Sequence, residues 1–311
     1  MDIPVYLMTG FLDGGKTTFT QFTIEQDYFS DGSKNLLILC EDGEEEYDPV
    51  ILEANHTTIV MVESEEKFTE QLLLAYQDKY QPERVIIEYN GMWRIEKILK
   101  MELPKGWLMN QIITLIDAGT FELYLNNMKS MVMEMVANSE LVIFNRCTED
   151  TKAASYKRSV KAVNRSAQII FESENGEIAV EEELPYDLSK DRIDILDDDF
   201  GIWYIDALEH PDHYRGKIIN FKAMVLKPPQ FPKQNFIPGR MAMTCCADDI
   251  TFIGFVCKGD GVEKLETKQW VWVSAKMKFE YQKAYQSEGP VLYADAIKTC
   301  EKPKEEIIYF N

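Results

Sequence analysis

The chain has 311 residues, of which 45% are hydrophobic and 12% aromatic, and this is enough to bury the core of one large or two medium domains. The composition excludes a disordered protein and a small disulfide scaffold, and we expect two domains. Lysine and arginine number 33 against 53 for aspartate and glutamate, which gives a net charge of −20. Such a field repels phosphate backbones and anionic lipid surfaces, so we expect no nucleic-acid partner.

The chain carries no mark of a membrane or secreted protein. No apolar run approaches the roughly 20 residues of a membrane-spanning helix, and the N-terminus lacks the basic start and long apolar core of a secretion signal. The six cysteines are few and irregularly spaced for a disulfide framework. We therefore expect a cytoplasmic protein with free thiols.

The first half of the sequence alternates short apolar runs with mixed segments of helical length. Parallel strands joined by crossover helices produce this pattern, so we expect an α/β domain with a mostly parallel sheet. The predicted strands are Val5–Thr9, Leu36–Cys40, Thr58–Val62, Val85–Ile87, Ile112–Ile116, Leu141–Phe144 and Gln168–Phe171.

A glycine-rich loop follows the first predicted strand. Residues 10–17 read GFLDGGKT and match the phosphate-loop pattern G-x-x-x-x-G-K-S/T. Backbone N–H groups of such a loop point at phosphate oxygens, Lys16 is placed to reach the β- and γ-phosphates, and Thr17 is placed to hold Mg²⁺. The charge of Asp13 would weaken phosphate binding unless this side chain points to solvent. The predicted nucleotide-binding residues of the loop are Gly10, Asp13, Gly14, Gly15, Lys16, Thr17 and Thr18.

The wider sequence TGFLDGGKTTF resembles the TGFLGxGKTT opening of the CobW-like branch of P-loop metal-chaperone GTPases, relatives of UreG and HypB. Further segments are similar in family order: CEDGEEEYD at 40–48 to NEFGExxxD, VIIEYNG at 85–91 to a strand ending E-x-x-G, Ile112–Ala118 to a "vDA" strand, and NRSA at 164–167 to NP-x-A. The resemblance covers roughly residues 1–180. It implies a P-loop GTPase of low intrinsic activity.

Carboxylates in these segments complete the predicted site. Glu88 and Asp117 end predicted parallel strands, where ligands of open α/β sheets bind, and both are placed to hold Mg²⁺ or its waters. With Lys16 they are the predicted catalytic residues. Glu41 and Glu44 are expected to form a nucleotide-sensing switch.

The guanine-reading motif of the family, N-K-x-D, is incomplete in this chain. Asn145 and Arg146 stand at its first two positions and are predicted to bind the nucleotide, but Thr148 stands at the fourth. A carboxylate there accepts two hydrogen bonds from guanine, whereas a threonine offers one hydroxyl. Glu149, one residue further on, is the alternative. We expect GTP to be preferred over ATP, but only modestly.

The transition-metal motif of the family is absent. CobW proteins carry Cys-x-Cys-Cys between the switch and the E-x-x-G strand, where thiolates gather zinc or cobalt. Residues 49–87 contain no cysteine, and His56 is more typical of a surface or capping residue. The sequence leaves zinc binding open and restricts any tight site to the second half.

An acidic segment separates the two halves. Twelve acidic and two basic residues lie between Glu172 and Asp199, and a run of this kind is typical of a solvated linker. We therefore expect a nucleotide-binding domain at 1–180, an acidic linker at 181–200 and a second domain at 201–311.

The second domain is predicted to be a small all-β barrel of the oligonucleotide/oligosaccharide-binding (OB) type, because five short strands fall within about a hundred residues. These strands are Ile218–Leu226, Arg240–Thr244, Phe252–Cys257, Trp270–Phe279 and Val291–Ile297.

This half has a resemblance of its own. The segments YRGK at 214–217, FIPGRMAMTCCADD at 236–249 and WVWV at 270–273 look like an uncharacterised domain of permease-associated bacterial proteins. Neighbouring cysteines in a strand point to opposite faces, so Cys245 and Cys246 would need Cys257, Cys300 or a nearby aspartate to bind a soft metal. Packing as buried thiols is the favoured interpretation.

We interpret the chain as an enzyme that binds Mg²⁺ and GTP, with ATP as the alternative, and hydrolyses the nucleotide slowly as a switch or chaperone for a protein partner. That partner is expected to be a metalloprotein or a membrane permease, and a homodimer is also open. Two other functions stay in view. One is a nucleotide-gated permease adaptor with negligible turnover, and the other is a metallochaperone that uses the C-terminal thiols.

Overall fold

The computed structural model describes residues 2–180, 184–243 and 250–310. Its Cα positions group into two units. The first unit comprises Met1–Ala153 and Val163–Val180, and the second comprises Ala154–Ala162 and Glu181–Asn311. The second unit therefore includes a short stretch from within the first half of the sequence.

An eight-stranded sheet forms the centre of the first unit. Its strands are β1 (Ile3–Thr9), β2 (Asn35–Leu39), β3 (Thr57–Met61), β4 (Arg84–Glu88), β5 (Trp107–Asp117), β6 (Leu141–Asn145), β7 (Gln168–Ser173) and β8 (Gly176–Glu177). Their order is β3-β2-β4-β1-β5-β6-β7-β8, in which the first seven are parallel and β8 is antiparallel to β7. The predicted α/β class with a mostly parallel sheet is confirmed.

Helices connect consecutive parallel strands. They are α1 (Lys16–Ile24), α2 (Pro49–Ala54), α3 (Glu70–Tyr80), α4 (Ile95–Lys100), α5 (Phe121–Asn127), α6 (Lys129–Ala137) and α7 (Ala153–Val163). Because strand side chains alternate between faces, Leu7 and Met8 of β1 enter two different hydrophobic cores. Residues of both cores are fully buried, which explains why the parallel strands appear in the sequence as continuous apolar runs.

The second unit is built on a closed barrel. Its elements are β9 (Arg192–Asp194), α8 (Phe200–Glu209), β10 (Ile218–Leu226), β11 (Asn235–Met243), β12 (Ile250–Gly254), β13 (Val256–Lys258), β14 (Trp270–Gln282), β15 (Ser287–Thr299) and β16 (Ile307–Ile308). Strand pairing runs through β11, β13, β15, β14 and β10 and returns to β11. This closure of five strands confirms the predicted small all-β barrel.

One predicted barrel strand is two strands in the structure. The run Phe252–Cys257 is interrupted at Phe255, whose ring is buried against Trp203 and Tyr204. Just before the break, Gly254 lies opposite Gly239, and a Cβ on Gly239 would stand 2.1 Å from the backbone oxygen of Ile253. The apolar run alone does not show this break, because a buried phenylalanine fits a continuous strand equally well. The end of another predicted strand, Thr244, lies outside the described residues.

The acidic segment is partly ordered in the second unit. Strand β9 pairs in parallel with β10, and Ile193 and Ile195 are 2% and 6% exposed in the barrel core. The neighbouring acidic residue Asp194 accepts a hydrogen bond from Asn220 Nδ2 at 2.7 Å. Because side chains of a strand alternate between its two faces, the isoleucines point into the core and the aspartate points to solvent. This strand lies within the stretch that the sequence predicts as a linker. Among the described residues, no helix has the length and apolar character needed to cross a membrane.

Candidate nucleotide-binding site

The loop between β1 and α1 has a shape that requires glycine at two positions. Gly10 and Gly15 have φ values of +131° and +92°. A Cβ on Gly10 would lie 2.2 Å from the backbone oxygen of Leu115, and a Cβ on Gly15 would lie 2.4 Å from Nδ2 of Asn145. The loop therefore packs directly against β5 and β6, with no room for larger residues. Asp13 also has a positive φ, of 59°, and is exposed.

Lys16, the first residue of α1, is buried beneath this loop with 4% of its surface exposed. Its Nζ donates to the backbone oxygens of Gly10 at 2.8 Å and Phe11 at 2.9 Å, and it forms an ion pair with Glu41. Glu41 comes from the segment that follows β2, which the sequence predicts as a switch. The loop lysine and a switch carboxylate are thus in direct contact.

Glu88 lies at the end of β4 next to Thr17 and is 4% exposed. Thr17 Oγ1 donates to its Oε2 at 3.3 Å, and the hydroxyl of Tyr47 donates to its Oε1. Burial raises the pKa of Glu88, and the hydrogen bond from Tyr47 acts in the opposite direction. Burial, followed by the neighbouring Glu88 carboxylate, also raises the pKa of Tyr47.

These oxygens fit a magnesium ion. A hydroxyl and a carboxylate are hard ligands of the kind that Mg²⁺ takes beside nucleotide phosphates. Glu88 is desolvated, so a nearby cation would favour its charged form. Thr17 and Glu88, both predicted to hold Mg²⁺, are in contact in the structure, and the binding of Mg²⁺ stays a prediction.

Asp117 lies at the end of β5 and has different partners. Its Oδ2 pairs with Arg146 Nη1 at 2.8 Å, and its Oδ1 accepts from the backbone N–H of Gly119 at 2.7 Å. The same Arg146 nitrogen donates to the backbone oxygen of Asp13 at 2.7 Å. Within the described residues, Asp117 forms no hydrogen bond or ion pair with Thr17 or Glu88. Asp117 thus contacts the phosphate loop through Arg146, and its role toward Mg²⁺ stays a prediction.

One cleft brings most of the predicted site residues together. Its walls come from the phosphate loop, the start of α1, the switch segment, the end of β4 and the residue after β6. The lining residues are Leu12, Asp13, Gly15, Lys16, Thr17, Thr18, Glu41, Gly43, Glu44, Glu45, Glu88 and Arg146.

A second depression shares Gly15, Thr18 and Arg146 with this cleft. It is lined by Gly15, Thr18, Phe19, Phe22, Leu115, Asn145, Arg146, Glu172, Ser173, Glu174 and Gly176. Asn145 Nδ2 donates to the backbone oxygen of Gly14 at 2.7 Å, which ties β6 to the phosphate loop. Thr148 and Glu149, the residues considered for guanine recognition, are both exposed and do not line this depression.

Thiols available to a metal are scarce in the described chain. Cys40 and Cys257 are buried, and burial raises the pKa of both thiols. Within residues 2–180, 184–243 and 250–310, no three His, Cys, Asp or Glu side chains are grouped so as to hold a metal ion. The predicted ligands Cys245 and Cys246 lie outside the described residues, so their role stays a prediction.

Sequence reasoning did not single out Tyr47, which contacts Glu88, or Glu172, which lines the second depression. Tyr47 is an aromatic residue in an acidic stretch, directly before the Asp48 cap and Pro49 start of α2. That isolated aromatic is a usable signal, because a solvated acidic loop gives no reason for one. Glu172 was counted only among the acidic residues of the expected linker boundary.

The sheet, the glycine-rich loop and the Lys16, Thr17 and Glu88 cluster define a P-loop nucleotide-binding protein. Residues 4–171 match the nucleotide-binding domain model of CobW/HypB/UreG, which is more than half of the chain. The chain therefore belongs to the CobW/HypB/UreG family, and the resemblance stated from the sequence is confirmed. Residues 170–310 match the DUF1980 C-terminal domain.

Similar solved structures include the zinc-bound YjiA GTPase from E. coli and a zinc-bound triple mutant of YjiA. Each is 23% identical to this chain, covers 58% of it over 60% of its own length, and has a TM-score of 0.43. The hydrogenase maturation factor HypB from Archaeoglobus fulgidus is 15% identical, with coverages of 56% and 82% and a TM-score of 0.40. The chain thus spans 60% of the YjiA structures it matches. Among curated proteins, no sequence matches it.

Proposed function

We propose that the chain binds GTP with Mg²⁺ in the cleft around Lys16 and hydrolyses it slowly, as a switch for a partner protein. The observation that supports this proposal most directly is the contact of Thr17 with the buried Glu88. Membership of the CobW/HypB/UreG family supports GTP as the nucleotide that the cleft binds. The cleft thereby combines a phosphate-binding loop with a pair of oxygens suited to a divalent cation.

Each element of the cleft has a role in this proposal. The N–H groups of the loop and of the α1 N-terminus bind phosphate oxygens, and Lys16 binds the β- and γ-phosphates. Thr17 and Glu88 would hold Mg²⁺, which supplies charge neutralisation on these phosphates. Water attacks the γ-phosphate, and positioning and charge provide most of the catalysis in reactions of this type.

The switch is the segment that carries Glu41 and Tyr47. Glu41 pairs with Lys16, and Tyr47 donates to Glu88. A phosphate that reaches Lys16 competes with Glu41, and a cation at Glu88 competes with the Tyr47 hydroxyl. Both ends of one short segment are therefore bound to groups that the nucleotide would engage, which couples its conformation to the nucleotide state.

The partner belongs to the same proposal. We infer that this chain is cytoplasmic. Family membership suggests that it acts on a metalloprotein, and the resemblance of its second half to a domain of permease-associated proteins suggests a membrane permease instead. GTP turnover measured with and without a candidate partner separates a partner-controlled hydrolase from an adaptor without turnover. An adaptor would bind GTP and show no turnover under either condition.

The test of the site is the variant Lys16→Ala. Removing the ammonium takes away charge-assisted hydrogen bonds to phosphate, and we expect GTP affinity in the presence of Mg²⁺ to fall at least about tenfold. The matched control is Lys105→Ala, which removes an exposed lysine of the same unit and should leave the affinity unchanged. Isothermal titration calorimetry measures both. Equal GTP affinity of Lys16→Ala and wild type would refute the site.

A further inference from the structure

The depression beside Gly15 is lined by aromatic and polar side chains. Phe19 and Phe22 lie three residues apart on α1 and therefore share a helix face, and Phe22 is 59% exposed although it is a large aromatic residue. Both line the depression with Asn145 and Glu172. Gly15 and Thr18 line this depression and the phosphate cleft alike, so the depression adjoins the place where the loop would bind the phosphates of a nucleotide.

The register of β6 and β7 places the side chain of Glu172 beside that of Asn145. Ile143 pairs with Ile170 in this parallel ladder, and both isoleucines pack in the core that includes residues of α1. Two residues further along each strand, Asn145 and Glu172 point to the same face, at the carboxyl edge where ligands bind.

The loop after β6 holds this arrangement. The backbone N–H of Cys147 donates to the backbone oxygen of Glu172 at 2.9 Å, which fixes the two strand ends together. Thr148 follows, and its N–H is bound by Thr151 Oγ1 at 2.9 Å. Thr148, at the fourth position of the N-K-x-D motif, is thus held in a turn. The carboxylate of Glu172, from the next strand, lines the depression instead.

Asn145 supplies an independent sign of a ligand. Its Nδ2 is bound to the backbone oxygen of Gly14, whereas its Oδ1 is buried and has no hydrogen-bond partner in the part of the chain that the structure describes. A buried polar atom without a partner costs free energy. A polar base placed next to Asn145 would satisfy it.

We propose that Glu172 recognises the guanine edge and takes the role that Thr148 cannot fill. This inference rests on the proposed GTP site and specifies the base it accepts. Guanine presents N1–H and the 2-amino group as two adjacent donors, and a carboxylate accepts both. Adenine offers no such donor pair, so it leaves the Glu172 carboxylate unpaired. The preference for GTP over ATP is then stronger than the threonine alone predicts.

The test is the variant Glu172→Gln in the full chain, with binding of GTP, ATP and xanthosine triphosphate measured by calorimetry with Mg²⁺. Xanthine carries a carbonyl where guanine has the 2-amino group, so a carboxamide that donates one hydrogen bond and accepts another fits it. We expect GTP affinity to fall about 10- to 100-fold, while xanthosine triphosphate affinity rises above that of wild type. This gain cannot arise from damaged folding.

Two controls make the result specific. Glu149→Gln changes an exposed acidic residue beside the N-K-x-D position and should leave all three affinities within about twofold of wild type. Glu172→Asp keeps the charge on a shorter side chain and should retain a preference for GTP over xanthosine triphosphate. If Glu172→Gln leaves the ratios of the three nucleotides unchanged while wild type binds GTP, the role of Glu172 is refuted and the GTP site stands. If wild type binds no nucleotide, the proposed function and this inference both fall.

Discussion

Lys16 can pair with either of two kinds of anion, the carboxylate of Glu41 or the phosphate of a nucleotide. Its ammonium contacts two loop carbonyls and the carboxylate of Glu41 while 96% of its surface is shielded from water. A buried ion pair is costly to leave half complete, so either Glu41 or another anion must stay close to this lysine. Phosphate oxygens meet the same requirement. In the proposed binding mode, phosphate would replace Glu41 beside Lys16, which would keep this lysine paired and release the switch segment.

This exchange predicts the effect of Glu41→Gln. The substitution removes the charge that competes with phosphate for Lys16, so we expect GTP affinity to rise about three- to tenfold. Glu46→Gln is the matched control, because Glu46 belongs to the same acidic segment, is exposed and does not line the cleft. Calorimetric titration of both variants measures the change, and thermal unfolding monitors the fold. A loss of affinity in Glu41→Gln alone would show that this carboxylate supports bound nucleotide instead of competing with it.

The residues that the sequence identified are those fixed by short, local patterns. Lys16 and Thr17 follow from the glycine spacing, and Glu88 follows from its place at the end of a buried strand. Tyr47 was not predicted because its contact with Glu88 spans 41 residues, and no periodicity sets the path of the loop between them. Asp117 ends a strand as Glu88 does, yet Arg146 pairs with it. Position at a strand end therefore does not determine which partners a carboxylate has in the structure.

At the level of elements, apolar runs located all seven parallel strands because both faces of that sheet are buried. They located the barrel strands less completely, since a run does not reveal where a strand breaks, as at Phe255. The net charge of the acidic segment is a poor guide to its structure. Averaged over its length the segment is strongly negative, but Ile193 and Ile195 alternate with aspartates and form a strand and its continuation into the core.

The ordering of this segment predicts a difference between two aliphatic residues. Ile193→Ala removes buried methyl groups from the barrel core, and we expect the free energy of unfolding of the second unit to fall by about 2 to 4 kcal/mol. Leu196→Ala, three residues on, affects a side chain that is 68% exposed and should cost less than about 0.5 kcal/mol. Urea titration compares the two. Equal stabilities would mean that β9 adds nothing to the barrel.

For the molecule as a whole, the net charge of −20 has to be reconciled with binding a polyanion. The cleft itself carries Asp13, Glu41, Glu44 and Glu45 close to the loop. The nucleotide phosphates are therefore attracted by groups that act at short range. These are the buried Lys16, the loop N–H groups and the α1 N-terminus, together with the proposed cation at Glu88. A site of this kind binds phosphate by contact and gains nothing from long-range steering, because the surrounding field opposes approach.

The last prediction concerns the half of the chain in which any tight soft-metal site must lie. With no cysteine in residues 49–87, carboxylates of the first unit bind zinc with little selectivity, and the buried Cys40 thiol resists the deprotonation that metal binding requires. Any tight zinc binding measured for the full chain is expected to be lost in the double variant Cys245→Ser, Cys246→Ser and to be unaffected by GTP. The double variant Cys40→Ser, Cys147→Ser is the control and should keep it. Competition against a chromophoric chelator measures each affinity. Tight, GTP-dependent zinc binding that survives the loss of Cys245 and Cys246 would place the metal in the nucleotide-binding half and contradict this assignment.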